Sequence, residues 1–308
     1  MPDNLLPADF RRTPNELRQA VEAHRLDLLA RRLSPATVTK YGLWLGAFVV
    51  HLEGQGVRAP QGIEAGHVRA YLAGLAERGL SAHTQHTAAR CIRAWLNFLA
   101  AEGEIAESPM RKVKMPRLDN RILPSLSQED VQAILAACLN GRDRAIVLFL
   151  LDTGLRASEF VALNLGDVDM ASGAVMVRLG KGRKDRQVYL GAKTQQALQR
   201  YLRRRKDAPM LAASSPLWTS MFTGKRLRRA GLRQVLRRLG ERAEVEHCHP
   251  HTFRRTFALW SLRAGMDIYS LQRLMGHNDL AMLRRYLALV EADIQNAHRQ
   301  HGPVDSNL

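Results

Sequence analysis

The helical periodicity that runs through most of this sequence breaks at residues 173–190, GAVMVRLGKGRKDRQVYL. Two runs rich in strand-forming residues flank a Gly-Lys-Gly-Arg-Lys-Asp segment, a pattern that is typical of a β-hairpin or small sheet. On both sides of the break, apolar residues recur at helical spacing. The sequence therefore predicts a mainly α-helical protein whose second half is α+β and contains a small antiparallel sheet.

The first third of the chain predicts consecutive amphipathic helices. Ser34 and Pro35 suit the N-cap and the first position of a helix, and apolar residues follow at helical spacing until Gly54. These apolar residues are Val38, Tyr41, Leu45, Phe48 and Leu52. A second helix is predicted over residues 64–78, and a third begins at Ser81. We therefore expect a helical N-terminal domain.

A segment without periodicity separates the two halves. Residues 108–124 contain three prolines and several basic residues, as linkers often do. Ser127 then precedes an acidic first turn, which is favoured at a helix start. The predicted organisation is a first domain over residues 1–112, a basic linker over 113–124 and a second domain over 125–308.

The net charge of the chain limits the class of its partner. It has 46 Lys and Arg against 29 Asp and Glu, a formal charge of +17. Such an excess predicts a polyanionic partner, because neutralised phosphates release counterions and drive binding. Aromatic residues make up only 6% of the chain, too few for stacking platforms along a single strand. Duplex DNA is therefore favoured over single-stranded nucleic acid, and an anionic membrane surface is the least favoured alternative.

Nothing in the sequence predicts a membrane or secreted protein. The longest apolar runs are far shorter than the roughly 20 residues that cross a bilayer, and no signal peptide is recognisable at the N-terminus. Cys91, Cys138 and Cys248 are widely spaced and form no CxxC pair, so we expect reduced thiols in a cytoplasmic protein. The HCHPH run at 247–251 is too tightly spaced to wrap one zinc ion, and we predict no metal site.

Two predicted helical faces carry side chains suited to phosphate contacts. On the third helix, the face opposite the apolar stripe carries Thr84, Thr87, Arg90 and Arg93. In the segment from Lys225, one side carries Arg226, Arg229, Arg233 and Arg237. Four arginines along one side of a helix repel one another without anions nearby, so we interpret the second set as a duplex contact. For the first set, an ordinary solvated face is an equal alternative.

Two short segments carry arginines that packing alone does not explain. Arg156 is predicted at a helix start, where the helix dipole favours an anion and Glu159, one turn on, can orient the guanidinium. His251 and Arg254 are three residues apart, which places them on one helical face. Because arginine contacts phosphate oxygens in bidentate geometry, Arg156 and Arg254 can together hold one phosphodiester.

Lys181 lies in the glycine-rich turn of the predicted hairpin. A lysine there can donate a proton to a departing sugar oxygen if its pKa falls below the usual value of about 10.4. Arg183, Lys184 and Arg186 are expected to lower that pKa by charge repulsion. The alternative is an ordinary exposed basic turn.

The order and spacing of these residues resemble those of the tyrosine recombinases, the phage-integrase-type site-specific recombinases. The shared pattern consists of TGLR at 153–156 with Glu159, Lys181 in a hairpin, HxxR at 251–254, GH at 276–277 and Tyr286 nine residues after His277 (286 − 277 = 9). The resemblance covers both predicted domains and is closest to the simple, Xer-like form with two domains.

This resemblance implies a SAM-like core-binding domain over residues 1–112 and a catalytic domain over 125–308. It implies an enzyme that cuts and rejoins duplex DNA without metal, ATP or another cofactor. Its expected partner is DNA with an inverted-repeat core site, on which monomers assemble into a homotetramer. Integration, excision, transposition and dimer resolution are all compatible with these residues.

The resemblance also implies the roles of the residues that act on the phosphate. Tyr286 attacks the scissile phosphate and forms a 3′-phosphotyrosyl bond, while Lys181 protonates the leaving 5′-oxygen. Arg156 and Arg254 stabilise the pentacoordinate phosphate.

The remaining roles concern proton transfer and support. His251 accepts or relays the proton of the phenol, His277 hydrogen-bonds the phosphate, and Glu159 belongs to the supporting shell. The sequence departs from the family pattern at Arg255, where many relatives have a second histidine, and at Phe160, where leucine is more usual. Both departures concern fine tuning of the site.

Two other functions are compatible with parts of the pattern. A type IB topoisomerase uses the same nucleophile but relaxes supercoils as a monomer, whereas a recombinase needs a specific site and a tetramer. A non-enzymatic DNA-binding regulator would explain the basic helices, but such a protein gains nothing from retaining Tyr286 and its five partners.

Overall fold

The structure, a computed structural model, describes residues 15–118, 124–178, 185–205 and 212–276. The chain divides into two compact units, Met1–Arg121 and Ile122–Leu308. Val113 belongs to the hydrophobic core of the first unit, and Met115 packs against that core. Part of the predicted linker, residues 113–124, therefore packs with the first unit, and the predicted domain boundaries stay a prediction.

The described part of the first unit is helical. Its helices are α1 (Glu16–Ala30), α2 (Pro35–Gly54), α3 (Ala65–Glu77) and α4 (Ala82–Ala101). Ser34 and Ser81 cap α2 and α4, and each hydroxyl accepts a hydrogen bond from the backbone N–H three residues on. Asn15 caps α1 in the same way. The three predicted helices are confirmed, and α1 is a further helix that the sequence analysis did not delimit.

The apolar stripes of these helices meet in one core. The rings of Phe48 on α2 and Trp95 on α4 lie edge to face, with centroids 6.3 Å apart. The indole Nε1 of Trp95 donates to the carbonyl of Ala20 on α1 at 3.2 Å. Arg90 and Arg93 lie on the exposed side of α4, so the predicted orientation of this helix is confirmed.

The described part of the second unit combines helices with a two-stranded sheet. Its helices are α5 (Gln128–Ala136), α6 (Gly141–Thr153), α7 (Ala157–Ala162), α8 (Ala192–Arg203), α9 (Arg229–Ala243), α10 (Pro250–Arg263) and α11 (Ile268–Met275). Strands β1 (Ala174–Val177) and β2 (Arg186–Tyr189) pair antiparallel, with Ala174 opposite Tyr189 and Val177 opposite Arg186. The predicted class, mainly α with a small antiparallel sheet, is confirmed.

Aromatic side chains fill the centre of the second core. The Trp218 ring stacks against Phe160 with centroids 4.6 Å apart, and against Tyr201 at 5.5 Å. The ring of Phe149 on α6 lies edge to face with the same indole, with centroids 5.3 Å apart. Phe160 directly follows Glu159 and is fully buried. The phenylalanine that stands where leucine is more usual in the family therefore packs into this core. The stacked ring anchors α7 in the core.

Gly154 is the C-cap residue that follows α6, and it adopts the left-handed conformation with φ +57°. A Cβ atom at this position would lie 2.8 Å from Cγ of Phe257 on α10, too close for any real contact. The glycine therefore permits both the turn into Arg156 and the close packing of α6 on α10.

We expect Gly154→Ala to lower the free energy of unfolding by about 2–5 kcal/mol. The left-handed conformation costs a residue with a Cβ about 1–2 kcal/mol, and overpacking against Phe257 costs about 1–3 kcal/mol more. Gly265→Ala is the matched control, because Gly265 also has a positive φ (+88°) but open space around it. Thermal unfolding compares the two variants, and equal losses of stability would contradict the predicted clash.

Candidate active site

The structure describes four of the seven residues predicted to form the site. These are Arg156, Glu159, His251 and Arg254. The other three predicted residues lie outside the described part of the chain: Lys181, His277 and Tyr286.

Arg156 is the N-cap residue of α7, at the helix start where it was predicted. Its backbone N–H and its Nη1 both donate to the Glu159 carboxylate, at 2.9 and 2.8 Å. The Glu159 side chain is 6% exposed, whereas that of Arg156 retains 23% exposure. The buried carboxylate thus fixes the guanidinium at the helix start while part of it stays accessible to a ligand.

Arg254 lies inside α10 and is buried. Its Nη1 donates to the carbonyl of Gly154 at 2.7 Å, and its Nη2 donates to the carbonyl of Met275 at 2.7 Å. One side chain therefore ties the end of α6 to the end of α11. These bonds bring the TGLR segment and the HxxR segment, which are about 100 residues apart in sequence, into one site.

The two arginines converge on the C-terminal end of α11. Nη2 of Arg156 donates to the carbonyl of Gly276 at 3.1 Å, next to the Met275 carbonyl that Arg254 contacts. Carbonyls at a helix C-terminus carry the negative end of the helix dipole, which makes them good partners for guanidinium groups. Because His277 follows Gly276 directly, both arginines hold the backbone at the point where the chain reaches His277.

Arg186, the first residue of β2, is a member of this site that the sequence analysis missed. It was expected to lower the pKa of Lys181, which stays a prediction because Lys181 lies outside the described residues. The guanidinium of Arg186 is paired with Glu159. Nη1 and Nη2 donate to the two carboxylate oxygens at 3.0 and 2.8 Å, and Nε donates to the carbonyl of Leu274 at 2.7 Å. The sequence signals a basic residue here, but it does not reveal a partner 27 positions away.

Glu159 is charged in this arrangement. Burial by itself raises the pKa of the carboxyl group, but the hydrogen bonds and charge of Arg186, together with the hydrogen bonds of Arg156, outweigh burial and lower the pKa to about 2. The carboxylate therefore remains ionised at neutral pH and orients two guanidinium groups at once.

His251 is exposed at the start of α10, beside several guanidinium groups. Partial burial lowers the pKa of its imidazole, and the positive charges of Arg255, Arg233, Arg254 and Arg156 lower that pKa further. The ring is therefore neutral at pH 7 and can accept a proton. This property fits the role of proton acceptor that the resemblance implies.

The prediction that Arg226 shares a helical face with the other arginines is wrong, because α9 begins at Arg229. The Arg226 guanidinium donates to the carbonyls of residues 161–163 and to the side chain of Asn164. It closes the C-terminal end of α7, whose carbonyls attract a cation. The remaining members of the set are exposed on α9: Arg229, Arg233 and Arg237.

A groove of ≈ 810 Å³ runs beside the site, between α9 and the start of α10. Arg233, Arg237 and His251 line it, together with Ala157 at the start of α7 and three glutamates. Nε of Arg237 lies 3.6 Å from Oε1 of Glu241, and both side chains are exposed. Such a solvent-exposed ion pair is weak. The groove thus connects the exposed arginines of α9 to the helix start that carries Arg156.

The two threonines predicted to contact phosphate already have partners within α4. The Thr84 hydroxyl shares a hydrogen bond with that of Ser81 at 2.9 Å, and the Thr87 hydroxyl donates to the His83 carbonyl at 2.9 Å. Arg90 and Arg93 project from the exposed side of the helix. A role for this face in binding DNA stays a prediction, and the two arginines are better placed for it than the threonines.

Within the described ranges, no three His, Cys, Asp or Glu side chains are grouped as metal ligands. No helix in the same ranges is long and apolar enough to cross a membrane. The three cysteines are free, and Cys248 of the HCHPH run packs into the core of the second unit. Burial raises the pKa of its thiol to about 12, so it stays protonated at neutral pH.

Comparison with known proteins agrees with this geometry. Residues 124–292 match the phage integrase family, and residues 21–102 match the "Phage integrase, N-terminal SAM-like domain". "Tyrosine recombinase XerC" of Oceanobacillus iheyensis is 31% identical over 284 residues, which cover 89% of this chain and 92% of that protein. "Tyrosine recombinase XerD" of Pseudomonas aeruginosa is 32% identical over 281 residues, covering 89% and 94%.

A solved structure shares the fold. XerH site-specific recombinase bound to palindromic difH substrate superposes with a TM-score of 0.68 at 19% identity, covering 94% of this chain and 87% of that one. The chain therefore belongs to the phage integrase family and is a tyrosine-type site-specific DNA recombinase of the Xer-like form with two domains.

Proposed function

We propose that this recombinase cuts and rejoins duplex DNA at an inverted-repeat core site through a covalent bond between Tyr286 and the 3′-phosphate. The observation that carries the proposal is the convergence of Arg156 and Arg254 at the end of α11, directly before His277. Two ordered guanidinium groups in a partly buried site stabilise developing negative charge far better than they would in water.

In the cleavage step, the phenol oxygen of Tyr286 attacks phosphorus and the bond between phosphorus and the 5′-oxygen breaks. The proton of the phenol passes to His251, which is neutral at pH 7, and Lys181 gives a proton to the leaving 5′-oxygen. Arg156 and Arg254 bind the non-bridging oxygens, whose negative charge increases in the pentacoordinate state.

The rejoining step reverses these proton transfers. A 5′-hydroxyl of the exchanged strand attacks the phosphotyrosine and releases the phenol. One phosphoester bond is broken and one formed in each step, so strand exchange needs no ATP. His277 hydrogen-bonds a non-bridging oxygen, while Glu159 contacts no phosphate and acts by orienting Arg156.

The proposed partner is duplex DNA, contacted by exposed arginines of both units. The candidates that the structure leaves exposed are Arg90 and Arg93 on α4 and Arg229, Arg233 and Arg237 on α9. We infer a cytoplasmic protein that is monomeric alone and tetrameric on two synapsed sites. Light scattering with and without the DNA site tests this assembly, and a complex that never exceeds two protomers on one site would contradict it.

The decisive experiment incubates the purified wild-type protein with nicked suicide duplexes. Their sequences are taken from the genomic DNA that flanks the gene of this protein. Cleavage next to the nick releases a short fragment that carries the 5′-hydroxyl, and its loss traps the covalent intermediate. We expect a denaturant-resistant adduct in which digestion and mass spectrometry place the DNA on Tyr286. An adduct on another residue would refute the proposed chemistry. Tight binding without an adduct on any site would point to a non-enzymatic DNA-binding protein.

The same preparations separate a recombinase from a topoisomerase. A topoisomerase relaxes supercoiled plasmid without the core site, whereas the proposed enzyme requires that site. Relaxation of a plasmid that lacks the site, at the same rate as one that carries it, would contradict a site-specific role.

A further inference from the structure

We propose that Arg186 is a positioning residue for DNA cleavage, which holds Arg156 through Glu159 and fixes the end of α11. This inference rests on the proposed function, because Arg156 is the group that would bind the phosphate. Arg186 itself packs against Glu159, and we propose no contact between it and DNA.

The contacts of Arg186 link its own strand, β2, to two helices. From the start of β2 it makes two parallel hydrogen bonds to Glu159 on α7, at 3.0 and 2.8 Å, and a third to the Leu274 carbonyl on α11, at 2.7 Å. Its side chain is 10% exposed and that of Glu159 is 6% exposed. This geometry uses all three guanidinium nitrogens, which a lysine ammonium cannot reproduce.

Glu159 is shared between two guanidinium groups. Its Oε1 accepts from Arg156 at 2.8 Å and from Arg186 at 3.0 Å. Without Arg186, the buried carboxylate would lose two of its four hydrogen bonds, and only Arg156 would hold it. The Arg156 guanidinium would then be oriented by a carboxylate that is itself less firmly fixed.

Gly276 provides a second, independent indication that this arrangement is specific. A Cβ atom at residue 276 would lie 3.0–3.1 Å from three atoms of the Arg186 side chain. Gly276 also has φ +61°, which disfavours any residue with a Cβ. The backbone of α11 therefore ends in direct contact with the Arg186 guanidinium, one residue before His277.

An ordinary buried ion pair is the competing explanation, since such pairs occur in many cores without a role in function. The chain offers a matched example in Arg142, at the start of α6. Arg142 is 8% exposed, pairs with Asp143 at 2.7 Å and donates to the Thr219 carbonyl at 3.1 Å. The thirteen residues of α6 place it about 20 Å from Gly154, at the opposite end of the helix from the site.

The test compares Arg186→Gln, Arg186→Lys and Arg142→Gln with the wild-type protein on a nicked suicide duplex. Single-turnover cleavage is measured with the protein in saturating excess, and the Kd for the duplex and the Tm are measured separately. We expect both Arg186 variants to cleave about 10- to 100-fold more slowly, the range typical of residues that orient a functional group. Their Kd should stay within about threefold of the wild-type value, because Arg186 contacts no DNA.

Arg142→Gln should lower the Tm to a similar extent yet cleave within about twofold of the wild-type rate once the protein is folded and bound. Equal cleavage by wild type and Arg186→Lys, or a parallel loss of rate in Arg142→Gln, would overturn the inference. If Arg186→Gln does not fold, Arg186→Lys keeps the charge and decides the question alone.

A double-mutant cycle then tests whether Arg186 acts through Glu159. Arg186→Gln should slow cleavage much less in a Glu159→Gln background than in the wild-type background, because the shared carboxylate is already lost. Additive losses would show that Arg186 acts by another route. If the wild-type protein itself forms no adduct, the proposed function fails; if it forms one and the Arg186 variants cleave equally fast, only the present inference fails.

Discussion

A Tyr286→Phe variant is expected to bind the recombination site but to form no covalent adduct with it. The substitution removes only the phenol oxygen, which is the atom proposed to attack phosphorus. A phenol with a pKa of about 10 is a weak nucleophile at neutral pH, so its attack requires groups that favour its ionisation. Phenylalanine has no atom that can replace it. Adduct yield on a nicked duplex should therefore fall below detection.

Binding should respond much less than chemistry to this change. One neutral hydroxyl contributes about 1 kcal/mol to an interface, so the Kd in a mobility-shift assay should change by less than about tenfold. Tyr269→Phe is the matched control, because Tyr269 on α11 is 66% exposed and has no proposed role. That variant should form the adduct normally. An adduct with Tyr286→Phe would show that the nucleophile is another residue.

Replacing either Arg254 or Arg156 with alanine should lower the single-turnover rate of cleavage by about 10³- to 10⁵-fold. An arginine that neutralises transition-state charge has an effect of this size in phosphoryl transfer. The rate is measured at saturating protein, so that weaker binding does not contribute. If either alanine variant retains more than about a tenth of the wild-type rate, that arginine does not stabilise the transition state.

The two alanine variants should differ in stability. Arg254 is buried and is hydrogen-bonded to the Gly154 and Met275 carbonyls, so its removal deprives buried acceptors of their donor and should cost about 2–5 kcal/mol. Arg156 is partly exposed, and Glu159 keeps its bonds to Arg186, so Arg156→Ala should cost about 1 kcal/mol or less. Thermal unfolding measures this contrast. A similar Tm for both variants would contradict the structural role of Arg254.

Local features of the fold could be predicted because short-range chemistry determines them. Ser34 and Ser81 each act as a helix cap within three residues of their own position. The antiparallel pairing of β1 with β2 was predictable from strand-forming residues on both sides of a glycine-rich segment. Arg156 was placed at a helix start for the same reason, since the preceding Gly154 ends one helix and permits the next to begin.

Features that depend on distant parts of the chain could not be predicted. Arg226 looked like a member of the α9 face because it fits the helical spacing, but the carbonyls at the end of α7 compete for it. Arg186 was considered only for its effect on Lys181, which is close in sequence, and its pairing with Glu159 was not predicted. In both cases an arginine donates to oxygen atoms of another element of the fold, and periodicity carries no information about that contact.

The two separate cores give each unit its own fluorescent reporters. Trp44 and Trp95 belong to the first core, whereas Trp218 and Trp260 belong to or pack against the second. Indole emission shifts to longer wavelength when the ring meets water. With Trp44 and Trp95 replaced by phenylalanine, emission reports only the melting of the second unit, and the opposite pair of replacements reports the first. Melting both variants with and without DNA would then show, from the emission alone, which unit a given sequence stabilises.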